Sequence, residues 1–246
     1  MRSFGFLAAS SDYAAAQPQV TLLETELQQR TQRSLPALGA APPFTVDRSA
    51  RQDERGRTIA SAPAGAVVLV HGEPDVGKSA LALATVDSVR ASGGAALVMS
   101  LRDLPRKAVD LKAALGLGPV DLLATAPSAP VSVLLLDGAE ILQECESGAL
   151  TALLDAAASA GRTVVLVSRD DAAGSIRELL RERGAGDPVE FAVDPLSDDE
   201  IGAVVAAIPE LARLMSDPRA SRLLRLWVPE VCLACELLRC GLEVAT

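Results

Sequence analysis

A chain of 246 residues with 49% apolar content has ample material for a core, in one large or two small domains. Aromatic residues make up only 2%, so that core has to be built mainly of Ala, Leu and Val. A formal net charge of −9 argues against a broad nucleic-acid-binding face while leaving room for a local basic patch, and no apolar run approaches the ~20 residues of a membrane span.

Residues 1–43 show no clear core pattern and read as an N-terminal extension or linker. Met1–Ala16 has too short an apolar patch, broken by Gly5, for a signal peptide. Gln19–Arg33 has the spacing of an amphipathic helix with Leu22, Leu23 and Leu27 on one side. Ser34–Pro43, rich in Pro, Ala and Gly, reads as a linker. Phe44–Arg57 is polar and charged and leads into a first strand at Gly65–Val70. Arg48, in this lead-in, is a candidate contact to the edge of a nucleotide.

The stretch Val67–Arg90 organises everything after it. It contains Gly72-Glu73-Pro74-Asp75-Val76-Gly77-Lys78-Ser79, the P-loop or Walker A pattern. Gly72 permits a sharp exit from a strand. Gly77 lets the backbone pass close to a phosphate with no side chain in the way. The amides of Glu73–Ala80 then converge on an anion at a helix N-terminus. Lys78 is placed to bridge phosphate oxygens, and the Ser79 hydroxyl to ligate Mg²⁺. Lys occurs only three times in the chain, so a chance match is on the order of 10⁻³. Strand-like Val67–Val70 before it and Ser79–Val89, free of Gly and Pro, after it supply the strand–loop–helix context. Asp75 stands where many P-loops carry Gly. Asp tolerates a left-handed backbone, but its charge would lie near the phosphates and weaken nucleotide binding. His71, the single histidine, reads as a packing or loop residue.

Ala95–Ser100 reads as a second strand, Leu104–Leu115 as a helix with Pro105 in its first turn, and Gly116–Pro130 as a loop-rich crossover. Val131–Leu136 is apolar except for Ser132, as expected of a strand buried on both faces. It ends in Asp137-Gly138-Ala139-Glu140, a Walker B form. A carboxylate at the C-terminal end of such a strand lands beside the P-loop. Asp137 would hold Mg²⁺ directly or through water, and Glu140 would polarise an attacking water. Ala149–Ala160 reads as a helix. Thr163–Val167 is a fourth strand whose end offers Ser168 or Arg169 to a γ-phosphate, provided that strand lies between the other two. Ser175–Arg183 reads as a helix with a solvated arginine face, and Val189–Val193 as a fifth strand. From Asp194-Pro195 onward the pattern is helical only: Ser197–Glu200 is a capping box opening a helix to Ile208, followed by Pro209–Met215, Arg219–Leu226 and Pro229–Leu238. Cys232-x-x-Cys235, with Cys240 nearby and Cys145 distant, reads as buried reduced thiols rather than a metal or redox site.

In order and spacing, four of these features are similar to those of the STAND class of P-loop NTPases, relatives of AAA+ proteins. They are Gly72–Ser79, the Leu134–Glu140 box, Ser168-Arg169, and Pro195-Leu-Ser-x-x-Glu200. The resemblance spans Phe44 to Cys240, about four-fifths of the chain. It implies an α/β three-layer sandwich with a parallel sheet in order 5-1-4-3-2 over 44–195, and a helical lid over 196–246. It also implies an ATP-controlled switch that oligomerises when triggered. Pro229 matches the lid proline that touches the nucleotide, with Trp227 where the family has Gly. Arg48 matches the Arg that lies near the adenine. Ile141 occupies the place of the family's second acid, which implies slow hydrolysis.

Three functions compete at this level: a cytoplasmic signalling or defence switch, an active AAA+-like ATPase or small-molecule kinase, and a non-hydrolysing nucleotide-binding scaffold. Arg219, Arg222 and Arg225 would supply the kinase lid, or merely a solvated face. The cofactors are ATP and Mg²⁺; no Asn-Lys-x-Asp guanine-reading motif is present. The acidic charge favours protein partners or self-association over nucleic acid, with a DNA-linked role left open.

Overall fold

The computed structural model describes residues 11–31, 57–59, 61–143, 148–216, 218 and 221. Arg48, Pro229, all four cysteines and the helices expected at Arg219–Leu226 and Pro229–Leu238 lie outside this set or nearly so.

Five short strands form one parallel sheet: β1 (Val67–Gly72), β2 (Ala95–Ser100), β3 (Ser132–Asp137), β4 (Thr163–Arg169) and β5 (Val189–Ala192). Their order is β2-β3-β4-β1-β5, which is the 5-1-4-3-2 order expected. β1, β3 and β4 are internal, and their unbroken Val/Leu runs follow from burial on both faces. The register pairs Ser100 with Asp137 and His71 with Ser168, so the strands end together at one edge.

Alternation along the strands divides the core into two layers. On one face Val68, Val70, Val98, Val133, Leu135, Val165 and Val167 pack with Leu81, Ala82, Val86 and Val89. Those last four come from the helix that follows the P-loop, α2 (Lys78–Ala91). On the other face Leu69, Met99, Leu134, Leu136, Val164 and Leu166 pack against four further helices. These are α3 (Leu111–Leu115), α4 (Pro119–Thr125), α5 (Gly148–Ser159) and α6 (Asp170–Glu182). A fully buried Leu or Val contributes about 1.5–3 kcal/mol, so a core poor in aromatics is sufficient at this size.

The N-terminal helix α1 runs over Ser11–Thr31, starts earlier than its sequence pattern indicated, and continues through Pro18. Its buried residues are Tyr13, Ala16, Val20 and Leu27, whereas Leu22 is 58% exposed. Of the three leucines expected on one side, Leu27 is buried and Leu23 packs against the core, while Leu22 is turned outward. Tyr13, Ala16 and Val20 join one core layer and Leu27 the other, so α1 covers the β2 edge of the sheet. Two ion pairs hold it there: Glu24 accepts from Arg90 near the end of α2, and Arg30 donates to Asp103.

The region 104–130 differs from its sequence reading. Pro105 disfavours helix at Leu104; a 3₁₀ turn follows at Ala108–Asp110, and α-helix begins only at Leu111. The expected crossover loop contains α4, opened by Pro119. The carbonyls near its end are closed by Arg162, which is 2% exposed and donates to Leu123 O at 3.1 Å, Ala126 O at 2.9 Å and Pro127 O at 3.1 Å. Beyond β5 no strand occurs among the described residues. Helix α7 (Asp198–Ala207) carries the expected capping box, with Glu200 N donating to Ser197 Oγ at 3.3 Å and Ser197 N donating to Glu200 Oε2 at 2.7 Å. A 3₁₀ turn, Pro209–Leu211, and α8 (Ala212–Met215) follow.

Candidate functional site

The C-terminal ends of β1, β3 and β4 converge on the loop between β1 and α2. Gly72 is needed there for steric reasons: a Cβ would sit 2.6 Å from the Val193 carbonyl oxygen and 3.2 Å from Val76 Cγ2. Val76 is buried and pins the loop to the core, while Glu73, Pro74 and Asp75 are exposed. Asp75 has φ 61°, the only positive φ of a non-glycine residue among those described, and Gly77 has φ 89° as the N-cap of α2. No side chain caps α2 and its first turn carries no acid. The amide end of a 14-residue helix is thus left to an external anion.

Lys78 is buried, and its Nζ donates to the Glu73 carbonyl, folding the side chain back over the loop. Burial lowers its pKa, opposed by the charges of Glu140, Asp170, Asp137 and Asp75. Ser79 Oγ donates to Asp137 Oδ1 at 2.6 Å. Burial raises the Asp137 pKa; the Ser79 hydrogen bond and Arg102 oppose this, and Glu140 adds to it. Glu140 lies in the 3₁₀ turn Ala139–Gln143 with its side chain 8% exposed, and its carboxylate accepts from Arg102 Nη2. Gly138 has φ 81°, which turns the chain between the two acids.

Lys78, Ser79, Asp137 and Glu140 are therefore brought together. Ser168 and Arg169 separate. Val165 and Val167 belong to the α2 layer and Val164 and Leu166 to the other, so alternation along β4 directs Arg169 toward the P-loop face and Ser168 away from it. Ser168 is buried, its Oγ donating to Arg169 O at 3.3 Å. Arg169 is half-buried and pairs with Asp171 at 3.3 Å. His71 lies near the end of β1, just before Gly72, its Nδ1 2.6 Å from Asp170 Oδ1 and its Nε2 3.5 Å from Glu190. Arg102 was invisible to pattern reading, because its pairing with Glu140 spans 38 residues of sequence.

Among the described residues no group of three or more His, Cys, Asp or Glu could hold a metal ion. Ser79 and Asp137 nonetheless place two hard oxygens 2.6 Å apart beside the uncapped amide end of α2. That donor set fits a Mg²⁺ whose remaining ligands are phosphate and water oxygens.

Neither a family model nor a curated protein matches the sequence. Solved structures do match. A DNA replication initiation factor gives a TM-score of 0.55 at 16% identity, over 80% of this chain and 63% of that one. The replication initiator DnaA bound to AMPPCP and single-stranded DNA gives 0.52 at 15%, over 83% and 63%. Domain III of the Thermotoga maritima replication initiation protein DnaA gives 0.54 at 14%, over 82% and 90%. The likeness is one of fold: a five-stranded parallel α/β sheet with helices on both faces. The chain spans about three-fifths of the first two structures and nearly all of the single domain.

Proposed function

We propose that this AAA+-like α/β domain binds ATP with Mg²⁺ and acts as a slowly hydrolysing, nucleotide-dependent switch. The observation that carries the proposal is the 2.6 Å hydrogen bond from Ser79, in the first turn of α2, to Asp137 at the end of β3, next to a buried Lys78 turned back on the Glu73 carbonyl. Residues 58 apart in sequence, from the Walker A and Walker B boxes, meet where the helix amides are open. The likeness to a structure holding AMPPCP supports the choice of an adenine nucleotide.

In this reading the amides of Glu73–Ala80 cradle the phosphates, and Lys78 exchanges the Glu73 carbonyl for phosphate oxygen. Ser79 and Asp137 would hold the Mg²⁺, which supplies charge neutralisation for phosphoryl transfer. Glu140 orients and accepts a proton from the attacking water. Arg169, on the P-loop face, contacts the γ-phosphate and reports its presence. The exposed Asp75 carboxylate moderates affinity. Arg48 and Pro229 are kept as nucleotide contacts from the sequence resemblance, as is the STAND assignment. The lid at 196–246 and self-association complete the proposed switch, with protein partners and a cytoplasmic setting. Among the described residues no helix is long and apolar enough to cross a membrane.

A second reading, a faster AAA+-like ATPase, is favoured by the presence of both Asp137 and Glu140 at the end of β3. Steady-state turnover separates the two. Light scattering with ATP, ADP or no nucleotide tests the switch; a mass that ignores nucleotide would remove it and leave the ATPase.

A further inference from the structure

We propose that His71 makes the phosphate loop proton-linked: its imidazole, held between Asp170 and Glu190 one residue before Gly72, sets how tightly the loop binds nucleotide as pH changes. The inference rests on the reading of Gly72–Ser79 as the nucleotide cradle.

Three elements meet at this ring. Leu69 belongs to the core layer opposite α2, so alternation along β1 turns His71 to that same face, toward α6. The backbone there is fixed. His71 O accepts from Val193 N at 2.7 Å, and His71 pairs in register with Ser168 of β4 and Ala192 of β5. Nδ1 lies 2.6 Å from Asp170 Oδ1 in the first turn of α6, and Nε2 lies 3.5 Å from Glu190 Oε2 in β5. Both ring nitrogens therefore face carboxylate oxygen. A neutral imidazole has one N–H and satisfies one of them, turning a lone pair toward the other. The imidazolium donates to both. The side chain is only 16% exposed, so water cannot readily stand in for either partner.

The other charged groups nearby have separate engagements. Arg177 of α6 forks onto Glu190, Nε to Oε1 at 2.6 Å and Nη2 to Oε2 at 3.0 Å, and this bond holds the Glu190 carboxyl below its usual range. Arg169 at the end of β4 pairs with Asp171, and Asp194, next to Val193, is exposed. Asp170 is the acid that looks both ways. It follows Arg169, whose register partner is Gly72, and its charge acts on Lys78 together with those of Glu140, Asp137 and Asp75. With His71 neutral, the Asp170 charge adds to the field opposing an incoming phosphate. With His71 protonated, that charge is compensated beside the loop. Protonation and binding then favour each other, and by reciprocity nucleotide draws in a proton as it binds. Histidine is the side chain suited to such an exchange between about pH 5 and 8, and His71 is the only one in the chain.

The test uses the whole chain with saturating Mg²⁺. From pH 6 to pH 8 the Kd of the parent for MgATP rises about three- to tenfold, the range for one charge acting on phosphate through partly screened surroundings. Calorimetric titration at pH 7 in two buffers of different ionisation heat shows proton uptake on binding. His71→Asn keeps a donor toward Asp170 but takes up no charge; it loses at least about half of the Kd change and most of the uptake. The remainder belongs to Lys78, whose pKa burial lowers. Asp170→Asn binds MgATP at pH 8 about as tightly as the parent does at pH 6. Either variant keeping the parent's full pH dependence overturns the inference. A second arm needs no nucleotide: in thermal melts, a double-mutant cycle of His71→Asn with Asp170→Asn shows a coupling at least about twice as large at pH 6 as at pH 8. Equal coupling at both pH values overturns the inference and leaves the functional reading standing. A folded parent that binds no nucleoside triphosphate at either pH removes the functional reading, and this regulation with it.

Discussion

Replacing Asp137 with Asn should stabilise the protein without nucleotide while removing its Mg²⁺-dependent binding. Asp137 is 9% exposed, and burial raises its pKa above 3.8. A carboxyl that binds its proton more tightly in the folded state than in the unfolded one makes folding less stable as pH rises. The loss begins near the ordinary value of 3.8 and is complete above the folded-state pKa. Keeping a carboxylate in such a place costs several kcal/mol, and its hydrogen bond from Ser79 offsets about 1.5–3 of that. Asn keeps the acceptor for Ser79 and sheds the charge. The net gain at neutral pH is about 1 kcal/mol, or about 2–4 °C in Tm for a chain of this size. Calorimetric melts from pH 8 down toward pH 4, without nucleotide or metal, measure it, and the gain should shrink as pH falls. A variant that melts below the parent at neutral pH, or whose gain ignores pH, would refute the reasoning. MgATP titration of the same sample should show affinity lower by at least tenfold.

Gly72→Ala drives a Cβ into the Val193 carbonyl; it should cost about 2 kcal/mol in urea unfolding and weaken nucleotide binding together with stability. Arg162→Met keeps volume but leaves three carbonyls near the end of α4 without their donor, which should cost about 2–4 kcal/mol with an unchanged denaturant slope and leave nucleotide affinity within threefold. Glu140→Gln should keep MgATP affinity within threefold and lower kcat at least about tenfold; equal turnover would remove Glu140 from the mechanism.

The sheet and its phosphate loop were legible because each rests on a local signal. Val133–Leu136 is a continuous apolar run that suits a strand covered on both sides, and the loop's glycines, lysine and serine lie in one octapeptide. Register then does the rest, since the ends of parallel strands bring Asp137 to Ser79. On α1 the pattern reading was right for Leu23 and Leu27 and wrong for Leu22, and it missed the first turns, whose anchors include a small Ala16 before Pro18. Leu104–Leu115 was misread because Pro105 and the fixation of Asp103 to Arg30 end one segment before the next begins. Arg102, Arg162 and the His71–Asp170 contact are joins between residues 35 to 99 apart in sequence, and no periodicity encodes them.

Isothermal titration of MgATP into the folded parent and into Lys78→Ala bears most directly on the central claim. Burial lowers the Lys78 pKa, so the charged side chain is held at a cost in the empty protein. Removing it should leave the melting curve intact or raised, and the parent should release heat with saturable one-site binding that the variant lacks. Parent and variant binding MgATP equally, or a folded parent that gives no heat with any nucleoside triphosphate and Mg²⁺, would contradict the account.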